Sequence, residues 1–238
     1  MTDRRVRIVS YNVHACIGRD RRFAPERIAG LLQELEADFV ALQEVEDRPW
    51  GDGTVSDYLA ECLDMHPHRG ATLYRGDARY GNLLLAREPA VAHRLHDLSV
   101  GPREPRGAIE ADFLVAGRKL RLFVTHLGLR GGERKRQLEL LRPELERDDA
   151  DIRVLAGDIN EWRPGAAGNR ILPAVLDPAP LPRTFPAGAP LFALDRIYVT
   201  PGDVVAELQV VKTPAARRAS DHLPLVADLA VLQQAPDQ

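Results

Sequence analysis

The chain has 238 residues, enough for an α/β fold to bury a full core in one domain. Hydrophobic residues make up 45% and charged residues 28%, which is typical of a globular protein. The 35 acidic residues outnumber the 32 basic ones, so the net charge of −3 excludes a global positive field that would attract nucleic acid or an anionic membrane.

The sequence gives no sign of a targeting or membrane segment. Its apolar runs are far shorter than the about 20 residues of a transmembrane helix, and MTDRRVRIVSYNV runs into a strand without a small-residue cleavage site. The two cysteines, Cys16 and Cys62, are too few for a disulfide framework and are typical of a reducing compartment. We therefore expect a cytoplasmic protein in which Cys16 is a buried structural residue rather than a nucleophile.

The first half of the chain predicts strands in alternation with helices. After Pro25, the residues Ile28, Leu31, Leu32 and Leu35 recur at helical spacing. The other predicted elements of this half are strands over 6–13, 39–44, 82–86, 108–115 and 120–126, a loop over 47–57 and a short helix over 58–64.

The second half continues the same pattern. A charged helix is predicted over 133–147, broken or started again near Pro143. Strands are predicted over 152–156, 192–199, 204–211 and 222–232, and the segment 163–190 is a proline-rich loop with a helical turn over 169–175. No repeat or linker divides the chain, so we predict a single domain over 1–238 whose last four residues, APDQ, fray.

Polar residues accompany six of the apolar strands. They stand at a strand end or, in one case, within a strand, and they are Asn12, Glu44, His126, Asp158 with Asn160, Asp195, and Asp221 with His222. A buried polar group left unpaired costs about 1–3 kcal/mol, so their repetition favours one shared site. Each could alternatively be a strand-end cap or a turn former, which is plausible for Asp158 beside Gly157 taken alone.

The motifs SYNVH, LQEVE, THLGL, GDIN, LDRIYV and SDHLPL occur in this order between Ser10 and Leu225. Each motif alone is a weak signal. Because all six occur in this order, the chain resembles the endonuclease/exonuclease/phosphatase superfamily of metal-dependent phosphoesterases, which includes deoxyribonuclease I. Ile159 replaces the usual Phe of the GDFN motif, a conservative apolar change. The resemblance implies a four-layer α/β sandwich, with two mixed β-sheets packed face to face, helices outside, and a site where strand ends converge.

The resemblance also implies a divalent ion, Mg²⁺ or alternatively Mn²⁺. Asn12 and Glu44 match the residues that hold the ion, and Asp221 matches a residue near it, bound directly or through water. Mg²⁺ takes oxygen ligands and keeps several waters, so a carboxylate and an amide oxygen are a sufficient anchor.

The remaining motif residues match catalytic positions of the family. Asp158 and Asn160 match the pair that orients or deprotonates the attacking water, and His126 matches a position that contacts phosphate. Asp195 matches the carboxylate paired with the carboxyl-terminal His of the family, which is His222 here. Whether Asp158 or the His222–Asp195 pair accepts the proton stays open at this point.

Further residues have weaker signals. Asn82 resembles a family position that touches phosphate, and Arg106 recurs in the smaller bacterial-type members, so both are candidates for substrate binding. The alternative for Arg106 is a loop arginine on the surface. His14 is either close to the site or a packing histidine, and Trp162 either forms a wall of the pocket or packs a loop.

Two hypotheses on function follow from this pattern. The first is an active phosphoesterase, and the second is a catalytically inactive relative that only binds; the presence of all the motif residues favours the first. The substrate would be a small or lipid-linked phosphate ester. A nuclease is the alternative, but duplex nucleic acid is not favoured, because basic residues near the site come in short clusters over 130–136 and 217–218. The oligomeric state stays open.

Overall fold

The computed structural model describes residues 3–233. Strands in this range are β1 (Asp3–Asn12), β2 (Phe39–Asp47), β3 (Pro49–Trp50), β4 (Gly53–Thr54), β5 (His66–Arg75), β6 (Ala78–Ala86), β7 (Ala92–Asp97), β8 (Gly107–Val115), β9 (Arg118–His126), β10 (Ile152–Asp158), β11 (Asp195–Thr200), β12 (Val205–Val210) and β13 (Leu225–Leu232). The helices are α1 (Pro25–Leu35), α2 (Val55–Leu63), α3 (Gly131–Leu145), α4 (Gly168–Val175) and α5 (Pro214–Ala219), with short turns at His14–Cys16 and Gly202–Val204.

Two large mixed sheets organise these elements. The first sheet has the order β12-β13-β1-β2-β6-β5, and the second has the order β11-β10-β9-β8-β7. In the first sheet β1 and β2 are parallel, and in the second β9 and β10 are parallel, whereas the other neighbours are antiparallel. Each sheet therefore contains one parallel pair, whose carboxyl ends lie at a common edge.

Apolar side chains from both sheets form the central core. Ile8 and Phe39 of the first sheet share a buried cluster with Phe113 and Leu122 of the second, and the two phenylalanine rings lie 4.7 Å apart. On the outer side of the first sheet, a second cluster includes residues of α1, α2 and α5, and on the outer side of the second sheet a third includes residues of α3 and α4. The predicted four-layer α/β sandwich is thus confirmed.

Some predicted boundaries were wrong. Helix α3 starts at Gly131 and continues through Pro143, which lies in its last turn and interrupts only the final part of the helical hydrogen bonding. Helix α5 was not predicted; the hydroxyl of Thr213 caps it by accepting from the backbone N–H of Ala216. The predicted fraying of APDQ falls outside the described residues.

Four strands were missed: the two-residue strands β3 and β4, which lie in the predicted loop over 47–57, and the longer strands β5 and β7. β5 and β7 are the outermost strands of the two sheets, and most of their side chains are partly or fully exposed. An edge strand exposed on more than one side has no period-two pattern of apolar residues, so the sequence contained no signal for it. Between residues 3 and 233, none of the helices has the length and apolarity that crossing a bilayer requires.

His68 on β5 gives the fold a dependence on pH. Its ring lies 5.4 Å from the ring of His93 and 5.9 Å from that of Phe113, and its Nε2 has no hydrogen-bond partner in the described part of the chain. Burial lowers the pKa of His68 to about 4, and the neighbouring imidazoles of His93 and His66 also lower it. The folded state therefore favours the neutral ring.

We expect this histidine to destabilise the protein in mild acid. Because the folded pKa lies below the unfolded value of about 6.5, its stabilising contribution is complete above pH 6.5 and is lost as the pH falls toward 4. Between pH 7 and pH 5 the unfolding free energy should drop by roughly 1 kcal/mol more in the unaltered protein than in His68→Leu, allowing for partial exposure. Urea unfolding at both pH values measures this, and an identical pH dependence of the two proteins would refute it.

Candidate active site

All predicted site residues except Asn82 converge at one end of the sandwich. Asn12 is the last residue of β1, His126 the last of β9 and Asp158 the last of β10. The strand register places Asp158 directly beside His126 on one side and beside Asp195 on the other. Because the two sheets pack face to face, the carboxyl ends of both parallel pairs deliver polar side chains to the same place.

Glu44 does not stand at a strand end, contrary to the prediction. It lies within β2, where the pairing with β6 shifts register between Leu42 and Val45, and its φ is 56°. A β-bulge of this kind redirects a side chain and costs backbone strain, which is common beside functional sites. Asn160, at the opposite wall of the site, also has a left-handed backbone with φ 54°.

The segment Ser220–His222 precedes the last strand instead of beginning it. β13 starts at Leu225, so Asp221 and His222 lie in the loop that follows α5. The hydroxyl of Ser220 fixes this loop by donating to the carbonyl oxygen of Asn12 over 2.8 Å. Likewise Asp195 is the first residue of β11 and does not interrupt a strand.

Asn12 joins two carboxylates. Its Nδ2 donates to Oε1 of Glu44 over 3.0 Å and to Oδ2 of Asp158 over 3.1 Å, while its Oδ1 accepts from the backbone N–H of His14 over 3.0 Å. In this orientation the amide nitrogen faces the carboxylates, and Asn12 holds the two acidic groups next to each other. Its role as a metal ligand stays a prediction.

Asp158 is almost completely buried, with 1% of its surface exposed. Its Oδ1 accepts from the backbone N–H of Asn160 over 2.9 Å, and the Asn160 side chain donates to the carbonyl of Leu127 over 2.9 Å. Burial raises the pKa of Asp158, and the nearby carboxylate of Asp195 raises it further, against the opposing effect of His126. This carboxylate accepts a proton more readily than an exposed one.

His126 lies between a guanidinium group and the carboxylates. Nη1 of Arg106 is 3.3 Å from its Nδ1, and Oδ2 of Asp158 and Oε1 of Glu44 are 3.6 and 3.9 Å from its Nε2. Burial lowers the pKa of His126, which favours the neutral ring. Nδ1 faces the Arg106 guanidinium, and Nε2 lies 3.1 Å from the amide nitrogen of Asn160. Both neighbours are donors, so the neutral ring accepts from one of them only.

His222 forms a buried pair with Asp195. Its Nδ1 lies 2.9 Å from Oδ2 of Asp195, which also accepts from the hydroxyl of Thr184. Burial of the ring lowers the pKa of His222, but the Asp195 carboxylate outweighs this effect and raises the pKa to about 10. The ring is therefore an imidazolium at neutral pH, and its Nε2 lies 3.7 Å from Oδ2 of Asp158.

Tyr80 is a site residue that the sequence did not indicate. Tyr80, at 3% exposure, hydrogen-bonds to the carboxylate of Glu44. Although burial raises the pKa of Glu44, the imidazole of His126 and the hydrogen bonds from Asn12 and Tyr80 lower it, and the net pKa lies below its usual value. Nothing in the local sequence YGN distinguishes Tyr80 from a packing tyrosine.

A cavity of about 380 Å³ opens over these groups. Arg106 lines it, as the substrate-binding prediction requires, and so do Leu129 and Phe185. Asn82 does not line it; this residue is 5% exposed, donates to the carbonyl of Gly107 over 3.0 Å, and has an Oδ1 without a partner within the described chain. The predicted phosphate contact of Asn82 stays a prediction.

The donor set at the cavity fits a hard divalent cation. Glu44, Asp158 and Asp221 all contribute to its lining, and carboxylate oxygens are the ligands that Mg²⁺ and Mn²⁺ prefer. Two carboxylates bridged by the single amide of Asn12 also concentrate negative charge, which a divalent cation would neutralise. The ligand atoms of Asp158, Asp195 and His222 also lie within 4.8 Å of one another.

The weaker candidates lie around this centre. Nδ1 of His14 is 3.8 Å from Oδ1 of Asp221, so His14 stands at the edge of the site. Trp162 is 52% exposed, its ring packs 5.1 Å from that of Phe192, and both line a second pocket rather than the catalytic cavity. Cys16 is buried as predicted, and burial raises the pKa of its thiol to about 12.

Most side chains of the two basic clusters are paired, whereas Arg130 is exposed and has no side-chain partner among the described residues. Arg134 is buried against Glu161 at 2.9 Å, and Lys135 and Arg136 pair with Glu139. In the second cluster, Arg217 donates to the backbone carbonyls of Ala187 and Gly188, and Arg218 pairs with Asp20. The clusters are therefore mostly structural.

Comparison with known proteins agrees with this geometry. The model of the endonuclease/exonuclease/phosphatase family matches residues 9–222. YbhP of Escherichia coli (strain K12), described as an uncharacterized protein, is 30% identical over 94% of this chain and 95% of its own length.

Solved structures share the fold. An endonuclease/exonuclease/phosphatase from Beutenbergia cavernae has a TM-score of 0.77 and 24% identity, covering 96% of this chain and 72% of that one. TDP2 of D. rerio, solved with a single-strand DNA product, has a TM-score of 0.71 and 19% identity, covering 95% of this chain and 99% of that one. With the family match over most of its length, the chain belongs to the endonuclease/exonuclease/phosphatase family.

Proposed function

We propose that the chain is a divalent-metal-dependent phosphoesterase that hydrolyses a phosphodiester or phosphomonoester by direct attack of an activated water. The observation that carries this proposal is the arrangement around Asn12, whose amide holds Glu44 and Asp158 together at the end of the cavity. The imidazolium of His222 lies beside the same Asp158 oxygen. This reaction requires adjacent acidic groups that hold a metal and a cationic group that donates to the phosphate.

Glu44 is the principal metal ligand in this proposal, with Asp221 as an additional oxygen donor. The amide nitrogen of Asn12 faces the carboxylates, so Asn12 supplies an oxygen to the metal only after its side-chain amide turns over. A bound Mg²⁺ or Mn²⁺ would neutralise the negative charge that builds up on the phosphate oxygens in the transition state. Hydrogen bonds from Asn12 and Tyr80 keep the Glu44 carboxylate ionised and oriented for that role.

Asp158 is the general base that we propose. It lines the cavity, and the backbone N–H of Asn160 and the side chain of Asn12 fix the directions of its two oxygens. The alternative base, His222, is an imidazolium whose Nδ1 donates to Asp195. Its Nε2 therefore also carries a proton and is suited to donate a hydrogen bond to a phosphate oxygen. Asn160 and His126, which contact each other at 3.1 Å, then orient the water or the phosphate.

An exposed apolar flank favours a substrate with an apolar part. Leu129 is 73% exposed and lines the cavity, while Trp162, 52% exposed, and Leu191, 59% exposed, line a second pocket. Apolar surface of this kind beside a polar pocket usually contacts a ligand or partner. A small or lipid-linked phosphate ester fits both the size of the cavity and this flank.

A panel of phosphomonoesters, phosphodiesters and phospholipids, assayed with Mg²⁺ or Mn²⁺, tests the proposal. We expect metal-dependent turnover of at least one ester, with a lower KM where the ester carries an acyl or aryl group. Absence of turnover on every ester, with either metal, would argue for a binding protein instead.

Cleavage of single-stranded nucleic acid is the second candidate function. Trp162 and Phe192 present aromatic rings in a second pocket, which does not include the catalytic residues. The guanidinium of Arg163 lies 5.6 Å from the Trp162 ring centre, and bases stack on such a combination. The fold shared with TDP2 is compatible with this candidate.

We expect no efficient cleavage of duplex DNA. Binding to a duplex relies on a stripe of free Lys and Arg, whereas Arg134, Arg136 and Arg218 are paired with carboxylates. Plasmid and linear duplex incubated with Mg²⁺ at physiological salt should stay intact. Cleavage at catalytic protein concentrations that Asp158→Asn abolishes would show that the substrate class is wrong.

A further inference from the structure

The mouth of the cavity carries an ion pair that the proposed mechanism does not use. Glu104 lies in the loop between β7 and β8, and its side chain is 42% exposed. Its Oε1 is 2.7 Å from Nη1 of Arg106, and its Oε2 is 3.9 Å from Nη2 of Arg75. A carboxylate thus stands between two guanidinium groups, and all three residues line the cavity.

The two arginines are held independently of Glu104. Arg106 is 8% exposed, its Nη1 also contacts Nδ1 of His126, and its Nε has no partner in the described chain. Arg75 stacks on Tyr80, with its guanidinium carbon 3.6 Å from the ring centre. Two cationic groups therefore stay in place when Glu104 leaves, and one of them has an unsatisfied donor.

The Glu104 side chain is the part of this arrangement that is free to move. The base of its loop is closed by the N–H of Leu98, which donates to the carbonyl of Arg106 over 2.9 Å. Pro102 and Pro105 restrict the backbone on both sides of Glu104. Displacement of the carboxylate therefore needs only a rotation of a half-exposed side chain into solvent.

We propose that Arg75 and Arg106 form a second anion subsite beside the catalytic centre, and that Glu104 occupies it until a second anionic group of the substrate displaces it. Carboxylate and phosphate oxygens present similar acceptors to a guanidinium group, so Glu104 stands in for the ligand. The ligand is a phosphate ester with a further carboxylate or phosphate. This subsite rests on the proposed function, because it lies next to the site of hydrolysis.

Calorimetry with two phosphonates tests the subsite without turnover. Methylphosphonate and phosphonoacetate differ by one carboxylate, and neither contains an ester bond. At saturating Mg²⁺ we expect Glu104→Gln to bind phosphonoacetate about tenfold more tightly than the unaltered protein, with a change of less than about threefold for methylphosphonate. Methylenediphosphonate, with a second phosphonate instead of the carboxylate, shows which anion the subsite prefers.

Two further variants make the test specific. Adding Arg75→Gln to Glu104→Gln should remove the gain. Glu88→Gln is the matched control, because Glu88 is also a half-exposed glutamate paired with an arginine, Arg4, and should leave both affinities unchanged.

Three results would overturn the subsite: an equal gain for both phosphonates, a gain that survives loss of Arg75, or weaker binding by Glu104→Gln. If the unaltered protein still hydrolyses phosphate esters in that case, the subsite is refuted and the proposed function stands. If no ester is hydrolysed and neither phosphonate binds, both are refuted.

Discussion

Glu44→Gln is expected to lower kcat/KM for phosphate ester hydrolysis by about a hundredfold or more and to weaken Mg²⁺ binding in parallel. The amide keeps the shape of the side chain but removes the negative charge that the bulge of β2 presents to the cavity. The variant also replaces the contact between the Asn12 amide and the Glu44 carboxylate by a contact between two amides. Calorimetric titration with Mg²⁺ and steady-state kinetics measure the two effects.

Glu46→Gln is the control for this variant. It is the same substitution on the same strand, and Glu46 pairs with Arg48 instead of facing the cavity. We expect its metal affinity and turnover to equal those of the unaltered protein. Metal binding and turnover that stay unchanged in Glu44→Gln would remove the metal assignment.

His222→Gln should reduce kcat by about a hundredfold or more while the protein keeps its fold. The substitution removes the imidazolium beside Asp158 but keeps an amide that can donate to Asp195. Alanine is a poorer choice at this position, because it leaves the Asp195 carboxylate buried with only Thr184 as its side-chain donor. Kinetics and thermal unfolding of the same preparation separate catalysis from stability.

His96→Gln is the matched control, since His96 also pairs with a buried carboxylate, that of Glu110 at 2.7 Å, but lies outside the catalytic cavity. It should keep a normal kcat. A large fall in melting temperature with a near-normal kcat in His222→Gln would mean that His222 is a packing residue.

Much of the fold could be predicted because the central strands and helix α1 bury one or both faces. Burial imposes the apolar spacing of Ile28, Leu31 and Leu32, and the apolar runs of β9 and β10. Strands β5 and β7 lie at sheet edges, where solvent accepts polar and apolar side chains alike, and so they carry no such spacing.

Some residues of the candidate site could be predicted from the sequence and others could not. Asn12, His126 and Asp158 could be found because each is a polar residue that ends an apolar strand, and the strand order brings such residues together. Tyr80 and Thr184 could not, because each is a site residue only through a partner distant in the sequence, Glu44 for the first and Asp195 for the second.

The position of Glu44 shows a different limit. The sequence indicates an acidic residue after an apolar run, but the bulge that directs it into the cavity depends on the register with β6. The role of Glu104 could not be predicted either, because it depends on the ion pair with Arg75, a residue on another hairpin.

The most direct test of the central claim is hydrolysis in ¹⁸O-labelled water. The unaltered protein is incubated with a phosphate ester in this water, first with a chelator and then with Mg²⁺ restored. The products of each incubation are analysed by mass spectrometry. Our account predicts one ¹⁸O atom in the phosphate-bearing product, only with Mg²⁺, and at a rate reduced by about a hundredfold or more in Asp158→Asn. Label in the alcohol product, or equal hydrolysis with the chelator present, would contradict metal-dependent attack of water on phosphorus at this site.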